Sequence, residues 1–503
     1  MPARSLPRPV AVGLVFGCSA AVLVVELVAL RLVAPYWGLT LETNTIVIGL
    51  ALLAIAAGSW GGGRLADLRP PAGLLAPAIG VSGVVVAATP FLIRGAGATG
   101  DAALFALAVG VTLVVPGALL SAVTPVVTKL HLGDLDEAGS VVGRLSGVST
   151  LGGITGTVLT GFVLVTALPV TAILVGLGLA LVSTALALAV RRTGGTATAP
   201  AVVVAGVTTA ALLASGLSVL GPGDCDLETR YHCVELRAEA PRDGTDRPAA
   251  RTLVMDGLRH SYVDPDDPTY LDFAYVRALA AVVDAAHPGT DPLRAHHLGG
   301  AGLTYPRLLA HTRPGTTGTA SEIDAGLVRA DGGILDASDI PGLTVRVEDG
   351  RRGLTRLPDD GLDLVVGDAF GGVSVPWHLT TREALSDVRR VLHAEGSYVA
   401  NLIDHGPLDL ARAQAATMAA VFDHVLVLLV DASSTEEFTG GNVILAGTRT
   451  PVPAGALEAA LDTRDVEVTT LRGADLAAWV GDAVVLRDDH APVDQLLTPY
   501  PVS

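Results

Sequence analysis

The chain has 503 residues, of which 50% are hydrophobic, and its formal net charge is −17 at pH 7. A chain of this length is sufficient for two or three domains. The excess of acidic residues argues against nucleic acid as a partner, because a phosphate backbone is bound by an excess of Lys and Arg.

Charge and hydropathy divide the chain into two parts. Up to Leu220 there are ten Lys or Arg and seven Asp or Glu, whereas the remainder holds 23 basic and 43 acidic residues. The first part is also dominated by long apolar runs. We therefore predict a multi-pass α-helical membrane domain over 1–220, a small β-element over 221–265 and an acidic soluble domain over 266–503.

Seven apolar segments of the first part are long enough to cross a bilayer. They lie at 9–34, 43–67, 72–93, 102–130, 147–167, 169–190 and 201–220. The first is longer than a cleavable signal peptide and is followed directly by others, so we interpret it as a span. Small residues in "GSWGGGRLAD" and "GGITGTVLTGF" predict close approach between helix backbones. The cell membrane is thus the predicted location and the lipid bilayer a predicted partner.

Basic residues predict the orientation of these helices. Lys and Arg lie before the first span, after the second, around the loop after the fourth and after the sixth. The opposite loops hold fewer, so the positive-inside rule puts the N-terminus in the cytoplasm. With seven spans, the acidic domain then lies outside. Cys225 and Cys233 follow the last span, and they form a disulfide if that side is oxidising or remain two free thiols.

Glu26 is a carboxylate deep within an apolar span, in "AVLVVELVALRL". An ionisable group at that depth is costly and is usually functional or paired inside a helix bundle. Arg31, about a turn and a half further on, is one possible partner. Both a transport or proton role and a structural pair remain open for Glu26.

The periodicity changes after about Asp224. "YHCVELRAEA" and "ARTLVMDG" alternate like a pair of strands, and "PTYLDFAYVRALAAVVDAAHP" predicts a helix. Strand-like runs with helices between them follow in "AHHLGGAGLTYPRLLA", "TGTASEIDAGLV", "LTVRVEDGRRGL" and "LDLVVGDAF". This βαβ series predicts a doubly wound α/β sheet, and "GSYVANLI", "HVLVLLV" and "GNVILAG" predict later strands.

Each of the four βαβ strands ends in residues that suit a nucleoside, and ligands of such sheets bind at the carboxyl ends of the strands. The first ends in the glycine cluster Gly299, Gly300 and Gly302. The others end in carboxylates, at Glu322, Asp349 and Asp368. We predict a nucleoside site here. A purely loop-forming role for the glycines, and a helix-capping or loop-ordering role for Asp368, are the alternatives.

The stretches "MDGLRH", "LGGAGLTYPR", "SEID", "EDGR" and "GDAF" occur in that order. They resemble the aminopropyltransferases, the spermidine synthase family. "DAFGGVSVPWHLTTREAL" and "DDHAPVDQLL" are more similar to its membrane-fused branch, often described as fused major-facilitator/spermidine synthase proteins. The resemblance covers residues 225–503 well. It covers the membrane part in outline, through "APYWGLTLETNTIVIGLALLAIAAGSWGGGRLAD".

The resemblance implies a Rossmann-like, methyltransferase-type domain after a small β-element. It also implies decarboxylated S-adenosylmethionine, or S-adenosylmethionine, as the nucleoside ligand and a polyamine as the second substrate. The residues it places on the nucleoside are His232, Gly299, Gly300, Gly302, Glu322, Asp324, Asp349 and Gly350. Within this set, Glu322 matches the carboxylate on the ribose and Asp349 the contact to adenine. The residues it places at the amine are Tyr231, Tyr270 and His260.

Asp368 matches the catalytic carboxylate of the family. In the implied reaction an amine attacks the methylene beside a sulfonium, and an amine is mostly protonated at neutral pH. A carboxylate within reach accepts the proton and orients the nitrogen, and positioning supplies much of the remaining acceleration. Asp368 is therefore predicted to be the base.

Several positions depart from the family pattern. Gly302 stands where an acid normally follows the glycine loop, and Gly371 stands where a second acid helps to hold the polyamine. His260 replaces a glutamine, and Leu271-Asp272 replaces a pair that begins with histidine. The nucleoside pocket thus matches the family better than the amine pocket does.

Two other functions remain open on the sequence. One is a methyltransferase that uses intact S-adenosylmethionine on the same fold, and the other is a transporter or sensor that binds a polyamine or nucleoside without turnover. No Cys/His cluster has the spacing of a metal site, so no metal is predicted. A homo-oligomer is compatible with the sequence.

Two predictions conflict over the side of the soluble domain. The charge pattern with seven spans places it outside the cytoplasm, whereas an adenosyl sulfonium is made in the cytoplasm. We give more weight to the charge pattern, because it depends on several loops, and we expect an extracytoplasmic domain. The cytoplasmic side remains the alternative.

Overall fold

The computed structural model describes residues 6–37, 41–132, 138–193, 198–221, 225–328, 336–370 and 375–498. The chain divides into two compact units, Met1–Cys233 and Val234–Ser503. We call the first the helical unit and the second the α/β unit.

The helical unit consists mainly of apolar helices. Helices α1 to α9 span Arg8–Trp37, Leu41–Leu68, Leu75–Gly97, Ala102–Ser121, Val123–His131, Ala138–Leu159, Val165–Ala167, Val170–Thr193 and Thr198–Leu220. A 3₁₀ turn at Pro71–Gly73 precedes α3, and a π-helical segment at Thr160–Leu164 joins α6 to α7. The unit also contains a two-residue strand, β1, at Leu227–Glu228.

Six of the seven predicted spans are confirmed as helices long and apolar enough to cross a membrane. The seventh, predicted at 201–220, falls on α9. There the described apolar stretch, Ala205–Leu220, is shorter than the other six. Because α9 as a whole spans Thr198–Leu220, the number of membrane-crossing helices, and with it the side on which the α/β unit lies, stays a prediction.

Glycines allow the helix backbones to approach closely, as the small residues predicted. A Cβ atom at Gly156 of α6 would lie 2.5 Å from the main-chain oxygen of Ala20 in α1. Gly83 of α3 faces α8 in the same way, with a Cβ that would lie 2.7 Å from the oxygen of Gly178. A larger side chain at either position would force the helices apart.

The α/β unit begins with a small antiparallel sheet. Strands β2 at Cys233–Arg237, β3 at Arg251–Met255 and β4 at Leu258–Val263 pair in that order. β2 and β3 are the predicted strand pair, which is confirmed. β4 was not predicted, because "LRHSYV" carries no apolar alternation.

A larger sheet and its helices form the rest of the unit. Strands β5 to β12 span Arg294–Leu298, Thr317–Glu322, Leu343–Val347, Leu362–Gly367, Leu392–His405, His424–Val430, Gly440–Thr448 and Val468–Arg472. Helices α10 to α18 span Ala274–Ala286, Thr304–Thr312, Ala325–Val328, Gly350–Thr355, Arg382–Val391, Asp409–Ala419, Ala454–Thr463, Gly473–Val480 and Val493–Leu496. A 3₁₀ turn lies at Trp377–Leu379.

The order of strands in the larger sheet is β12-β10-β11-β9-β8-β5-β6-β7. β5 to β9 run parallel where they pair, whereas β10, β11 and β12 are antiparallel. The chain proceeds from β5 through β6 to β7 on one side and then returns to place β8 on the other side of β5. The direction of winding thus switches between β5 and β8, where ligands of such sheets bind.

Both faces of this sheet are buried. On β8, Val365 belongs to one apolar cluster, whereas Leu364 and Val366 belong to another. Side chains alternate between the faces of a strand, so the two clusters lie on opposite faces. The first contains residues of α14 and α15 and the second residues of α10 and α16. This architecture is a mixed α/β sheet consistent with a methyltransferase-like fold.

The structure pairs Cys225 with Cys233 in a disulfide, with Cα atoms 5.1 Å apart, whereas Cys18 is a buried free thiol. The charge pattern predicts that this segment lies outside the cytoplasm, where disulfides persist. We therefore expect the disulfide to be present in intact cells. A membrane-impermeant thiol reagent should label neither cysteine before reduction and both after the intact cells are reduced. Labelling that requires lysis of the cells would instead place this segment in the cytoplasm. A Cys225→Ser, Cys233→Ser variant is the control for labelling at Cys18.

Candidate active site

The loop after β5 depends on glycine. β5 ends at Leu298, and Gly299 follows with a φ of 93°, in the left-handed region that favours glycine. A Cβ atom at Gly299 would lie 2.5 Å from the main-chain oxygen of Asp368, so no side chain fits there. The backbone N–H of Leu303 donates to the oxygen of Gly300 over 2.7 Å, and the chain enters α11. The glycine loop is thereby held against the end of β8.

Glu322, the last residue of β6, binds this loop directly. Its Oε2 accepts from the backbone N–H groups of Gly300, at 2.8 Å, and Ala301, at 3.3 Å. Its Oε1 accepts from the N–H of Asp324 over 2.8 Å, while the buried carboxylate of Asp324 accepts from the N–H of Gly326. Glu322 thus fixes the loop. A carboxylate can accept about four hydrogen bonds, so Glu322 has room for about one more, from a ligand hydroxyl.

Asp368 follows β8, and two neutral groups hold its carboxylate. Nδ2 of Asn401 donates to Oδ1 over 2.9 Å, and the hydroxyl of Tyr275 donates to Oδ2 over 3.3 Å. Burial raises the pKa of Asp368 to about 6, against the lowering effect of these two hydrogen bonds. A carboxyl group with this pKa is largely ionised at neutral pH and can accept a proton during a reaction.

Tyr275 and Asn401 were not predicted. Tyr275 lies in the first turn of α10, and its hydroxyl also lies 3.2 Å from the main-chain oxygen of His260. Asn401 is the one polar side chain in the apolar core of "GSYVANLI", and it accepts from Nδ2 of Asn442 over 3.0 Å. The amide of Asn401 within this apolar strand was the feature of the sequence from which its role beside Asp368 could have been predicted. The sequence gives no comparable reason to prefer Tyr275 over Tyr270.

The glycine loop and Asp368 line one open cleft. Its polar wall includes Ser261, Tyr275, Gly299, Gly300 and Asp368, and its apolar wall includes Val276, Leu279, Leu298, Leu303 and Val366. A few convergent polar groups in an apolar cleft are typical of a small-molecule site. The structure thus brings together three of the predicted site residues, and Glu322 adjoins them through Gly300.

The absence of an acid at Gly302 has a local steric cause. A Cβ atom at Gly302 would lie 2.6 Å from Cβ of Ser261 and 2.8 Å from Cγ2 of Val263, both on β4. The N–H of Gly302 lies 3.3 Å from Oγ of Ser261. β4 therefore occupies the space that an acidic side chain would need, and the cleft wall here is a serine hydroxyl.

Asp349 stands two residues beyond β7 and caps α13. Its Oδ1 accepts from the N–H of Arg352 over 3.1 Å, and its Oδ2 lies 2.8 Å from Nε2 of His378. Burial acts to raise the pKa of Asp349, but these hydrogen bonds outweigh it and lower the pKa below its usual value. A Cβ atom at Gly350 would lie 3.2 Å from Leu298, which lines the cleft. The third strand end therefore adjoins the cleft through Leu298.

Tyr270 has partners of its own. Its hydroxyl donates to Oδ1 of the buried Asp272 over 2.9 Å, and the guanidinium of Arg247 lies 3.5 Å from the centroid of its ring. Burial and the hydrogen bond to Asp272 raise the pKa of Tyr270 to about 12. In the described part of the chain it is the hydroxyl of Tyr275, and not that of Tyr270, that lies at hydrogen-bonding distance from Asp368.

Tyr231 and His232 belong to the helical unit, between β1 and β2. Their backbone N–H groups donate to Oγ1 of Thr229, over 3.1 Å and 2.8 Å. The guanidinium of Arg230 lies over the ring of Tyr231. These contacts form a tight turn that ends at the disulfide cysteine Cys233. The roles of Tyr231 and His232 at a ligand stay predictions.

Three further predictions concern Glu26, Gly371 and metals. The guanidinium of Arg31, suggested as a partner of Glu26, donates to the main-chain oxygen of Thr229. Gly371 lies outside the described residues. No group of three or more His, Cys, Asp and Glu side chains that could hold a metal ion is found among the residues that the structure describes.

One curated protein is similar to the chain in sequence. Over 194 residues the chain is 29% identical to a protein of Bifidobacterium longum (strain NCC 2705) named "Probable polyamine aminopropyl transferase". The match covers 38% of the chain and 41% of that protein, so the chain spans less than half the length of this relative. No protein-family model matches the chain.

The solved structures that are similar to the chain include two spermidine synthases. One is a probable spermidine synthase from Corynebacterium glutamicum ATCC 13032, at 28% identity and a TM-score of 0.47, over 54% of the chain and 98% of that structure. The other is a spermidine synthase in complex with the transition-state analogue AdoDATO, at 13% identity and a TM-score of 0.32, over 55% and 86%. These likenesses are at low identity, and the functional assignment depends on the site itself.

We expect Gly302→Ala to lower the free energy of unfolding of the α/β unit by about 1–3 kcal/mol, because the added methyl group would overpack β4. The matched control is Gly455→Ala in α16, where a Cβ meets nothing within 4 Å. There alanine should be neutral or stabilise the helix by about 0.5–1 kcal/mol. Thermal and urea unfolding of the two variants measure this difference. Equal effects would show that the loop moves freely away from β4.

Proposed function

We propose that the chain is a membrane-anchored, aminopropyltransferase-like enzyme that acts in polyamine biosynthesis. The observation that carries this proposal is the partly buried carboxylate of Asp368, held by Asn401 and Tyr275 in a glycine-walled cleft where the sheet changes direction. Ligands of doubly wound sheets bind at this point. The names of the similar proteins, an aminopropyl transferase and spermidine synthases, support the same class.

The proposed donor is decarboxylated S-adenosylmethionine. Its ribose offers two hydroxyl donors, and Glu322 at the end of β6, which already accepts three backbone N–H groups, has room for about one of them. The adenine amino group is a donor that suits the carboxylate of Asp349 at the neighbouring strand end. The glycine loop lets the backbone approach the nucleoside, since a side chain at Gly299 has no room. Intact S-adenosylmethionine, as used in methyl transfer, is the competing donor.

In the proposed reaction, the amine nitrogen attacks the methylene next to the sulfonium sulfur. A C–N bond forms as the C–S bond breaks, the electron pair of the broken bond goes to sulfur, and a neutral thioether nucleoside leaves. The nitrogen must lose a proton, and Asp368 accepts it. The hydrogen bonds from Tyr275 and Asn401 fix the direction of the carboxylate, so little reorientation is needed during the reaction.

The acceptor is proposed to be a small primary amine. The wall beside the glycine loop carries the hydroxyl of Ser261, because β4 leaves no room for an acid at Gly302. A second ammonium group of the acceptor therefore meets no carboxylate at this position. We infer an acceptor preference that differs from that of enzymes with an acid here.

The six long apolar helices are proposed to anchor the enzyme in the cell membrane. The disulfide between Cys225 and Cys233 supports an extracytoplasmic α/β unit. An α/β unit outside the cytoplasm needs its donor on that side of the membrane. The cysteine labelling described above tests the side of the Cys225–Cys233 segment independently of any activity.

Asp368→Asn should abolish aminopropyl transfer, because an amide cannot accept the proton, while nucleoside affinity stays within a few-fold. Transfer of label from aminopropyl-labelled donor to diamines measures the first, and calorimetry of the full-length protein measures the second. Asp465→Asn is the matched control, since the Asp465 side chain is fully exposed and lies outside the cleft. Transfer of a labelled methyl group would assign methyltransferase activity instead. Nucleoside binding by wild type without turnover of any diamine would indicate a binding protein.

The pH dependence of kcat/KM should show an acidic limb at about pH 6. Burial raises the pKa of Asp368 above its usual value, so the carboxyl is protonated and inactive below about 6 and becomes a base as the pH rises. Tyr275→Phe removes a hydrogen bond that lowers this pKa, so the limb should move to higher pH. A limb that stays in place in Tyr275→Phe would show that another group titrates.

A further inference from the structure

The helical unit contains an open cavity of about 700 Å³ that the activity of the α/β unit does not explain. It lies between α1, α2, α4, α5 and α6, and eight Ser and Thr residues line it. Two of them, Ser19 and Ser149, lie within 2.7 Å of each other through their hydroxyl oxygens. So many hydroxyl groups around one cavity give it a polar lining within an apolar helix bundle.

The hydroxyl groups of this cavity present acceptors. Thr128 donates its hydroxyl hydrogen to the main-chain oxygen of Thr124 over 2.9 Å, and Thr150 donates to that of Ser146 over 3.1 Å. A hydroxyl oxygen that has used its hydrogen in this way still offers lone pairs. These lone pairs match a ligand that is rich in N–H or O–H donors.

One end of the cavity carries an ion pair. Nζ of Lys129 lies 2.7 Å from Oδ1 of Asp67, and both side chains are at least half exposed. The single lysine of the cavity is therefore neutralised by its neighbour. The ion pair leaves the walls of the cavity without net positive charge to repel a cation.

Glu26 lines a smaller void next to the large cavity. Val22 lines both the large cavity and this void of about 10 Å³, and Glu26 follows one helical turn further along α1. The other residues of the smaller cavity are apolar and include Pro116, which has no N–H to donate. Among the residues that the structure describes, no side chain hydrogen-bonds to or pairs with the carboxylate of Glu26. A carboxylate in these surroundings needs a cation or a proton.

We propose that the helical unit holds a binding site for a small organic ammonium ion, with the ammonium group at Glu26 and the rest of the molecule along the hydroxyl-lined cavity. A carboxylate at one end and hydroxyl acceptors along the walls supply the partners that an amine with several N–H donors needs. The site is separate from the transferase proposed for the α/β unit and does not depend on it.

The experiment measures binding of radiolabelled putrescine and spermidine to the full-length protein in lipid nanodiscs. Glu26→Gln should weaken binding about tenfold or more, because the charge-assisted hydrogen bonds are lost. Glu26→Asp, which keeps the charge, should retain most of the affinity. Unlabelled putrescine should displace the ligand, whereas 1,4-butanediol, which has the same length and no charge, should not.

Two threonines provide a matched pair for the walls. Thr150 lines the cavity and Thr184 of α8 does not, yet each donates its hydroxyl to the main-chain oxygen four residues earlier. Thr150→Val should weaken amine binding several-fold, and Thr184→Val should leave it unchanged. Both replacements keep the shape of the side chain, so they also test whether the fold tolerates the change.

Amine binding to the α/β unit should be the same in all of these variants. It is recognised as the part of the total binding that the substitutions do not change. Aminopropyl transfer should be unchanged in Glu26→Gln. Amine affinity that is equal in wild type, Glu26→Gln and Thr150→Val would overturn the proposed site while leaving the transferase proposal in place. A wild-type protein that transfers no aminopropyl group but binds amines in a Glu26-dependent way would overturn the transferase proposal and leave the site in the helical unit in place.

Discussion

The close approach of the ends of β5 and β8 is the constraint on which the site depends. Gly299 lies so near the main-chain oxygen of Asp368 that a Cβ atom would be 2.5 Å from it. The parallel pairing of β5 with β8 brings the two strand ends together. Gly299, which has no side chain, allows the loop after β5 to lie against the end of β8. Because the connections that follow β5 and β8 lead to opposite sides of the sheet, the loop and the carboxylate open onto one cleft between them.

The carboxylates around this point have different tasks because their partners differ. Glu322 receives three backbone N–H groups and orders the loop. Asp349 caps a helix and pairs with His378, which stabilises its charged form. Asp368 receives one amide and one hydroxyl hydrogen from the side chains that the structure describes, and removal from water outweighs these two bonds, so its pKa rises. A proton acceptor near neutral pH is therefore found at one of the three strand ends.

The sequence predicted those parts of the site that local pattern determines. A buried strand that ends in a carboxylate reveals Glu322 and Asp368 without any tertiary information. The choice between Tyr270 and Tyr275 depends on where a helix begins, and the predicted helix began before both. The structure delays its start to Ala274, because Tyr270 is held by a buried aspartate and an arginine. Long-range packing also determines which residue fits at position 302, since a side chain at Gly302 would collide with β4, a strand about forty residues earlier.

The two units surround a carboxylate in different ways: Asp368 receives hydrogen bonds from two side chains, whereas the half-buried Glu26 lies among apolar side chains. Asp368 has donors already in place, so it is ready as a base before any substrate arrives. Glu26 has no such donors among the described residues, and its apolar neighbours cannot stabilise a charge. A carboxylate of the first kind gains little from binding a cation, whereas one of the second kind gains a partner that the protein does not supply. The first is suited to proton transfer during a reaction, and the second to holding an ammonium ion or a proton.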